Sequence, residues 1–275
     1  MGTIEGRVAE HYGSGTLIDR IMRGLESLGK TAGDIAPEDL KLVDEFHIGG
    51  VEATRDLLRQ LSVESGDRVL DIGCGIGGTA RFIAQETGAS VTGVDVTAEF
   101  VDAARRLTEL SGITGVSFIE ASALDLPFAE DSFDLALLLH VGMNIEDKPA
   151  LFAEVRRLLH PHGVFAVYDV MRTGDGALGF PVPWSSSPET SFLDSPGAYR
   201  AAAKNAGLTL VSERERRDFA IAFFAALQAR IAESGPPPVG LPLIMGEGAA
   251  AKIANMVAAL KSGLIAPVEM IFRAA

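Results

Sequence analysis

The sequence predicts an α/β fold in which a mostly parallel sheet is covered by helices on both faces, and three observations carry this. Strand-like and helix-like segments alternate from residue 57 to residue 273. An apolar strand runs straight into a glycine-rich turn at VLDIGCGIGG, residues 69–78. The apolar run Phe133–Leu139 has the character of a central strand buried on both faces.

Taken in order, the first strand spans Arg68–Ile72 and the glycine turn leads into a helix from about Thr79. The second strand, Ser90–Asp95, is followed by a helix that places Phe100, Ala104 and Leu107 on one face, with Thr97 as its expected N-cap. Val116–Glu120 is the third strand, and Phe133–Leu139, the fourth, belongs beside the first. A helix from about Lys148 turns Leu151, Phe152, Val155, Leu158 and Leu159 inward and stops at HPHG, residues 160–163; the fifth strand follows over 164–170. Ser195 caps a helix with Pro196 in its first turn and Gly207 past its end, the chain re-enters the sheet at 209–212, and the last strand covers 268–273.

Three segments fall outside this alternation. Residues 1–60 read as an N-terminal helical cap, with Leu17, Ile18, Ile21, Met22 and Leu25 in one stripe, ahead of a sheet domain over 61–275. Within that domain, 171–198 is rich in Pro and Ser and 218–263 is largely helical; both are expected to be lids. Open α/β sheets bind ligands outside the carboxyl ends of their strands, so all three segments should enclose that end.

The glycine turn is the strongest functional signal. Gly73, Gly75, Gly77 and Gly78 let a ligand approach the backbone where a Cβ would collide, and the next helix aims its N-terminus at that ligand. Gly73, Gly75 and Gly78 also satisfy the dinucleotide pattern G-x-G-x-x-G, so a nicotinamide-dependent dehydrogenase remains an alternative. Asp71 argues against it: a carboxylate at the strand end repels a pyrophosphate and attracts an ammonium or a sulfonium. S-adenosylmethionine carries both cations and no phosphate. A second acid, Asp95, ends the next strand 24 residues later, where it can take both ribose hydroxyls of an adenosine.

With Asp71, Gly73, Gly75 and Gly77 in place, the chain resembles the class I S-adenosylmethionine-dependent methyltransferases, whose first motif reads acid-x-Gly-x-Gly-x-Gly. ALDLPFAEDSFDLALLLH, residues 123–140, and LFAEVRRLLHPHGVFAVYDV, residues 151–170, are similar to the ubiquinone/menaquinone-biosynthesis and sarcosine/dimethylglycine methyltransferase type. The resemblance implies a Rossmann-like seven-stranded sheet whose final strand is antiparallel and inserts beside the fifth. It implies a donor shell of Asp71, Gly73, Gly75, Gly77, Asp95, Val96, Ser122, Ala123 and Leu139. Ser122 stands where that family usually has an acid, and a hydroxyl is a weaker acceptor for the adenine amino group than a carboxylate.

Methyl transfer from a sulfonium asks mainly for alignment and exclusion of water, with a base only where the acceptor is protonated. His140, at the end of the fourth strand, is the first candidate for that base or for a positioning group, with a cofactor contact as the alternative. His47, beside two glycines, and Tyr12, on the cap, are the other catalytic candidates; a helix-end histidine and lid packing are their plainer readings. Asp169 either binds an amine or catechol-like acceptor or caps a helix. Trp184 either walls a substrate or anchors its loop. His11, His160 and His162 are expected at the surface, and Cys74 as a small residue fitted to its turn rather than a reactive thiol.

Composition narrows the partners. The formal charge of -13 opposes binding to nucleic acid, which leaves a small-molecule substrate with C-, N- and O-nucleophiles all open. One cysteine excludes a disulfide framework and a Cys-rich centre, and no metal site is expected. No apolar run approaches the ~20 residues that cross a bilayer, so no membrane partner is expected and the predicted location is cytoplasmic. FAIAFFAAL, residues 219–227, is apolar all round and suggests burial under a lid or in a homo-oligomer contact through 218–263; the N-terminal cap is another such surface. A protein that binds the donor without transferring its methyl group is the alternative of a different class.

Overall fold

The computed structural model describes residues 3–12, 17–44, 46–235, 237–246 and 248–275. Four helices come first: α1 (Ile4–Tyr12), α2 (Leu17–Ser27), α3 (Pro37–Asp44) and α4 (Gly50–Leu58). Then β1 (Arg68–Ile72), α5 (Gly78–Thr87), β2 (Ser90–Asp95), α6 (Ala98–Ser111), β3 (Val116–Glu120), β4 (Phe133–Leu139), α7 (Lys148–Leu158), β5 (Leu159–Arg172), α8 (Pro196–Asn205) and β6 (Leu208–Glu215) alternate. The chain finishes with α9 (Arg217–Ser234), α10 (Leu241–Met245), α11 (Ala249–Lys261) and β7 (Ile265–Ala274).

The strands form one seven-stranded sheet in the order β3-β2-β1-β4-β5-β7-β6. The first five strands are parallel, and β7 lies antiparallel between β5 and β6, as the resemblance implied. Side chains alternate across the sheet with period two. Val69, Leu135 and Leu137 pack with Leu57 of α4, Ile83 of α5 and Val101 of α6 on one face. Leu70, Ile72, Ala136 and Leu138 meet Phe152 and Val155 of α7 and Tyr199 of α8 on the other. No described helix is long and apolar enough to cross a membrane.

Residues outside the sheet bury their own apolar stripes. Leu17, Ile21 and Leu25 of α2 form a cluster with Leu40 and Val43 of α3, Phe100 and Leu107 of α6, and Ile244 of α10. Trp184 joins Phe224 of α9 and Met256 and Leu260 of α11 in another. Only part of α9 is buried this way. Ala220 and Phe224 face inward, while Ala222, Ala225 and Ala226 are exposed, so the helix that reads as apolar all round presents alanines to solvent.

Several boundaries differ from the predicted ones. The fifth strand starts at Leu159, opposite Phe133, then shifts register around the His160–Gly163 turn before Val164 pairs with Leu135. The run SERE, residues 212–215, extends the sixth strand to Glu215, because its backbone pairs with β7 at the sheet edge while Glu213, Arg214 and Glu215 remain exposed. Pro267 lies inside the last strand and not before it: its carbonyl accepts from Arg216 N at 2.8 Å, so its nitrogen faces the same side, where β6 has already ended. Thr97 occupies the cap position of α6 without a side-chain capping bond, since its hydroxyl turns to the Asp95 carboxylate.

α3 and the start of α5 are in direct contact. Arg81 of α5, buried, pairs with Asp44 of α3, and a Cβ on Gly78 would overlap the Asp44 carbonyl. Gly78→Ala should therefore destabilise the protein by about 1–3 kcal/mol through overpacking. Gly66→Ala, with nothing within 4 Å of its added carbon, should stay within about 0.5 kcal/mol of wild type. Denaturant unfolding of both variants checks this, and equal stabilities would contradict the close packing.

Candidate active site

Between β1 and β4 the sheet order reverses direction, and the carboxyl ends of the parallel strands open on a cavity of about 250 Å³. Gly73, Gly75 and Gly77 take left-handed φ values of 71°, 53° and 83°, which lets the turn fold back tightly after β1. Gly73 N and Cys74 N bond to Val94 O at 2.7 and 2.9 Å, pinning the turn to β2. Gly75 N then donates to Asp95 Oδ2 at 3.0 Å, and Thr97 N donates to Asp95 Oδ1 at 2.8 Å. Asp95 is thus held in place by backbone amides from both flanks. Burial raises its pKa above the ordinary carboxylate value, and the amides of Thr97 and Gly75 pull against that rise.

Asp71, Gly73, Gly75, Asp95, Val96, Ala123, Leu139, His140 and His47 all line the cavity. Gly77 and Ser122 do not. A Cβ on Gly77 would meet Phe118, so its reason is packing. Ser122 donates its hydroxyl to Glu5 of α1, a cavity residue that the sequence reading missed. Asp44, Phe46, Phe100 and Ile244 were missed as well; Phe100 stands in the first turn of α6 directly after β2, while Asp44, Phe46 and Ile244 arrive from segments outside the sheet whose placement no local motif signals. Cys74 is buried, and burial followed by Asp95 and Asp71 raises its thiol well above the usual range, so it is an inert packing residue.

His140 ends β4 at φ 58°, a left-handed conformation uncommon for a side-chain-bearing residue, and its amide bonds to Tyr168 O at 2.8 Å. Its ring lies 5.0 Å from Tyr168 and 5.9 Å from His47, centroid to centroid. Among the described residues its Nε2 is buried with no hydrogen-bond partner. Burial first, then the neighbouring His47, hold its pKa well below the usual histidine value. His47 is lowered to about 4 by burial. Its Nε2 lies 3.1 Å from both Gly50 O and Thr54 Oγ1; a carbonyl only accepts, so that nitrogen carries the proton. His47 therefore fastens the entry to α4 while its ring faces the cavity. Tyr12 closes α1, and its side chain lies outside the described residues.

A second, smaller cavity lies against the same two histidines. Its remaining wall is Phe46, Ile48, Met143, Pro183, Trp184, Phe223, Phe224, Met245 and Met256, without a charged side chain. Trp184 both anchors and walls: Nε1 donates to Ser191 Oγ at 3.0 Å, its carbonyl takes Asn144 Nδ2 at 2.8 Å, and its ring faces this space. Asp169 lines neither cavity. It is fully buried, takes the Tyr199 hydroxyl at 2.7 Å and lies so close to Gly142 that a Cβ there would overlap it, so it supports the loop after β4. His11 is half-buried with Nε2 3.3 Å from Pro183 O, because α1 lies over that insertion; of the three histidines expected at the surface, His162 is exposed.

The methyltransferase domain pattern matches residues 70–167. Methyltransferase GfsG of Streptomyces halstedii is 32% identical over 187 residues, which cover 65% of this chain and 67% of that protein. The chain belongs to the class I S-adenosylmethionine-dependent methyltransferases. Sterol 24-C-methyltransferase ERG6B of Gibberella zeae is 33% identical over 118 residues, and the match covers 42% of this chain but 31% of that protein. In fold, the methyltransferase is similar to geranyl diphosphate C-methyltransferase from Streptomyces coelicolor A3(2), with a TM-score of 0.70 at 17% identity over 100% of this chain and 98% of that one. Phosphoethanolamine N-methyltransferase 2 of Haemonchus contortus gives a TM-score of 0.74 at 17% identity, covering 100% of this chain and 60% of that one.

S-adenosylmethionine is the cofactor of this methyltransferase family, and the residues present fit it. Acids at 71 and 95 suit two cations and a ribose diol, and nothing lies within 4 Å of the Cβ position of Gly75, so the turn leaves open space toward a ligand. Asp95→Ala should weaken S-adenosylhomocysteine binding by about 1–3 kcal/mol in calorimetry, and unchanged affinity would remove Asp95 from the ribose site.

Asp169 gives a signed pH dependence. Burial pushes its carboxyl up to about 7, so its contribution to stability is present below the unfolded value and lost as pH rises through 7. The melting temperature of Asp169→Asn, relative to wild type, should therefore climb from about pH 4 to about pH 7 and then level off. His47, lowered to about 4, has the opposite slope below its unfolded value, and the difference cancels it because both proteins carry it. A pH-independent difference would contradict the raised carboxyl.

Proposed function

We propose that this chain catalyses methyl transfer from S-adenosylmethionine to a small acceptor whose apolar end points into the second cavity, a space of about 30 Å³ beside the donor cavity. The observation that carries this reading is His140: a buried imidazole nitrogen with no partner among the described residues, at the seam between a cavity with the donor's acids and one without any charge. When bound, S-adenosylmethionine supplies a methyl group already activated by its sulfonium. Asp95 takes the ribose hydroxyls, Gly75 lets the backbone approach while Gly73 makes room for the Val141 side chain, and Asp71 neutralises positive charge at the end of β1. Phe46, Met143, Trp184, Phe224, Met245 and Met256 hold the acceptor's apolar part and exclude water; methionine sulfurs and aromatic edges adapt to an irregular hydrocarbon. A phosphorylated or strongly charged acceptor would meet no counter-charge on that wall.

His140 holds or accepts a proton at Nε2. Its depressed pKa keeps it uncharged at neutral pH, so that one of its ring nitrogens is free to accept. So weak a base takes the proton late, once methylation has made the acceptor atom cationic and acidic. Residues 1–60 form the cap in this reading, and 171–198 with 218–263 form lids that close the chamber. The apolar faces they share with the sheet domain support those roles.

His140→Ala should lower kcat by about 100-fold or more while changing S-adenosylhomocysteine affinity far less. The wild-type rate should fall only on the acid side of about pH 6.5, and that limb should vanish in the variant. A larger loss of donor affinity than of turnover would reassign His140 to the donor shell.

A further inference from the structure

The base end of the donor follows from the sheet order. Asp95 is paired with Glu120, so the chain after β3 borders the cavity on the side of Asp95 away from Asp71. With the donor's cations drawn to Asp71 and its ribose on Asp95, the adenine is directed to that side. The wall there is Val96, Phe100, Ala121, Ala123 and Leu124, which suits the faces of a purine but brings no side-chain acceptor for its exocyclic amine.

The acceptor comes from another element. Glu5, in the first turn of α1, lines the same cavity and is gripped by the Ser122 hydroxyl, which Leu124 N fixes in turn at 3.1 Å. Ser122 is not itself a lining residue: it holds a carboxylate that is. One Glu5 oxygen takes the Ser122 proton, and a carboxylate offers about four lone-pair sites, so acceptor capacity is left for a ligand. Val8, one turn along α1 and buried, and Ile4 line the cavity beside it, so this face of the helix closes over the bound molecule.

We propose that Glu5 accepts the hydrogen bond of the adenine amino group, so that the N-terminal helix reads the base of the donor and the bound donor in turn latches that helix shut. The proposal rests on the donor assignment above. It also gives α1 a second consequence. His11, at the other end of the helix, sits 3.3 Å from Pro183 O and from Ser186 Oγ, so a latched α1 braces the insertion that carries Trp184 into the second cavity. Occupation of the donor site then prepares the acceptor wall.

The test compares S-adenosylhomocysteine with S-inosylhomocysteine, in which a 6-oxo group replaces the 6-amino group, by calorimetry on the full chain. Wild type should prefer the adenosyl compound by tenfold or more, since a carboxylate repels a carbonyl oxygen. Glu5→Gln should lose about tenfold in affinity for S-adenosylhomocysteine and most of its preference, because an amide can also donate to the 6-oxo group. Ser122→Ala should lose less of both, since Glu5 remains but is no longer held. Amide-exchange protection of α1 on adding S-adenosylhomocysteine should be absent with the inosyl compound and in Glu5→Gln. Wild-type discrimination retained in Glu5→Gln, or a wild type that binds both compounds equally, overturns the role of Glu5 while leaving the donor assignment standing. A wild type that binds neither overturns both.

Discussion

Two carboxylates at the tips of adjacent parallel strands, beside a turn that three left-handed glycines fold back on itself, are the constraint around which the rest of this molecule is arranged. A charge buried at a strand end is costly unless it is paired, and here the pairing is built from backbone: the amides of Gly75 and Thr97 both point at Asp95. That arrangement works only if β1 and β2 are in register and the turn after β1 is pinned to Val94. The parallel sheet is therefore part of the site's chemistry as well as its scaffold. A cationic nucleoside donor completes the set of charges that the fold leaves facing the cavity.

Around this centre, buried polar groups decide where the loops go. Asp169 and Tyr199 lie under the loop that carries His140 to Asn144, while the buried Lys148 ammonium bonds to Ile145 O and Phe192 O and ties that loop to the proline-rich insertion. On the far side, Glu269 gathers Gln60, Arg214 and Arg216, and Arg216 continues to Asp56 at 3.0 Å, fastening α4 to the antiparallel end of the sheet. Such networks are strongly destabilising to break and weakly stabilising relative to apolar packing, so they fix geometry more than they add stability. The geometry fixed is the position of the loop after β4 and of α4 relative to the sheet.

The two histidines divide the work within one small volume. His47 uses Nε2 to hold the turn into α4, whereas His140, forced into a left-handed conformation at the strand end, presents a nitrogen that the described protein does not satisfy. Strain and an unsatisfied donor or acceptor in the same residue are tolerated where a ligand relieves them. The smaller cavity beside them is lined by aromatic rings and methionines and carries no charged side chain.

The first four strands and the helices between them could be read from period-two and period-3.6 apolar patterns, because each has a face buried against the sheet. The glycine turn and its two acids were equally legible, since close backbone approach and charge complementarity leave a local mark. Patterns failed where pairing outweighs composition: SERE, residues 212–215, joins the sheet because β7 offers its backbone, and Pro267 is accommodated because β6 stops beside it. They failed again for groups brought from a distance. Nothing in the residues around Glu5 announces a cavity residue, and nothing around Asp169 distinguishes a substrate ligand from a buried strut. The sequence by itself determined a donor site at the strand tips, because that chemistry is written within about thirty consecutive residues. Only the tertiary structure decided which distant residues line the two cavities beside the strand tips, because those contacts join segments a hundred or more positions apart, such as Glu5 with Ser122 and His11 with Pro183, and packing, not local propensity, selects them.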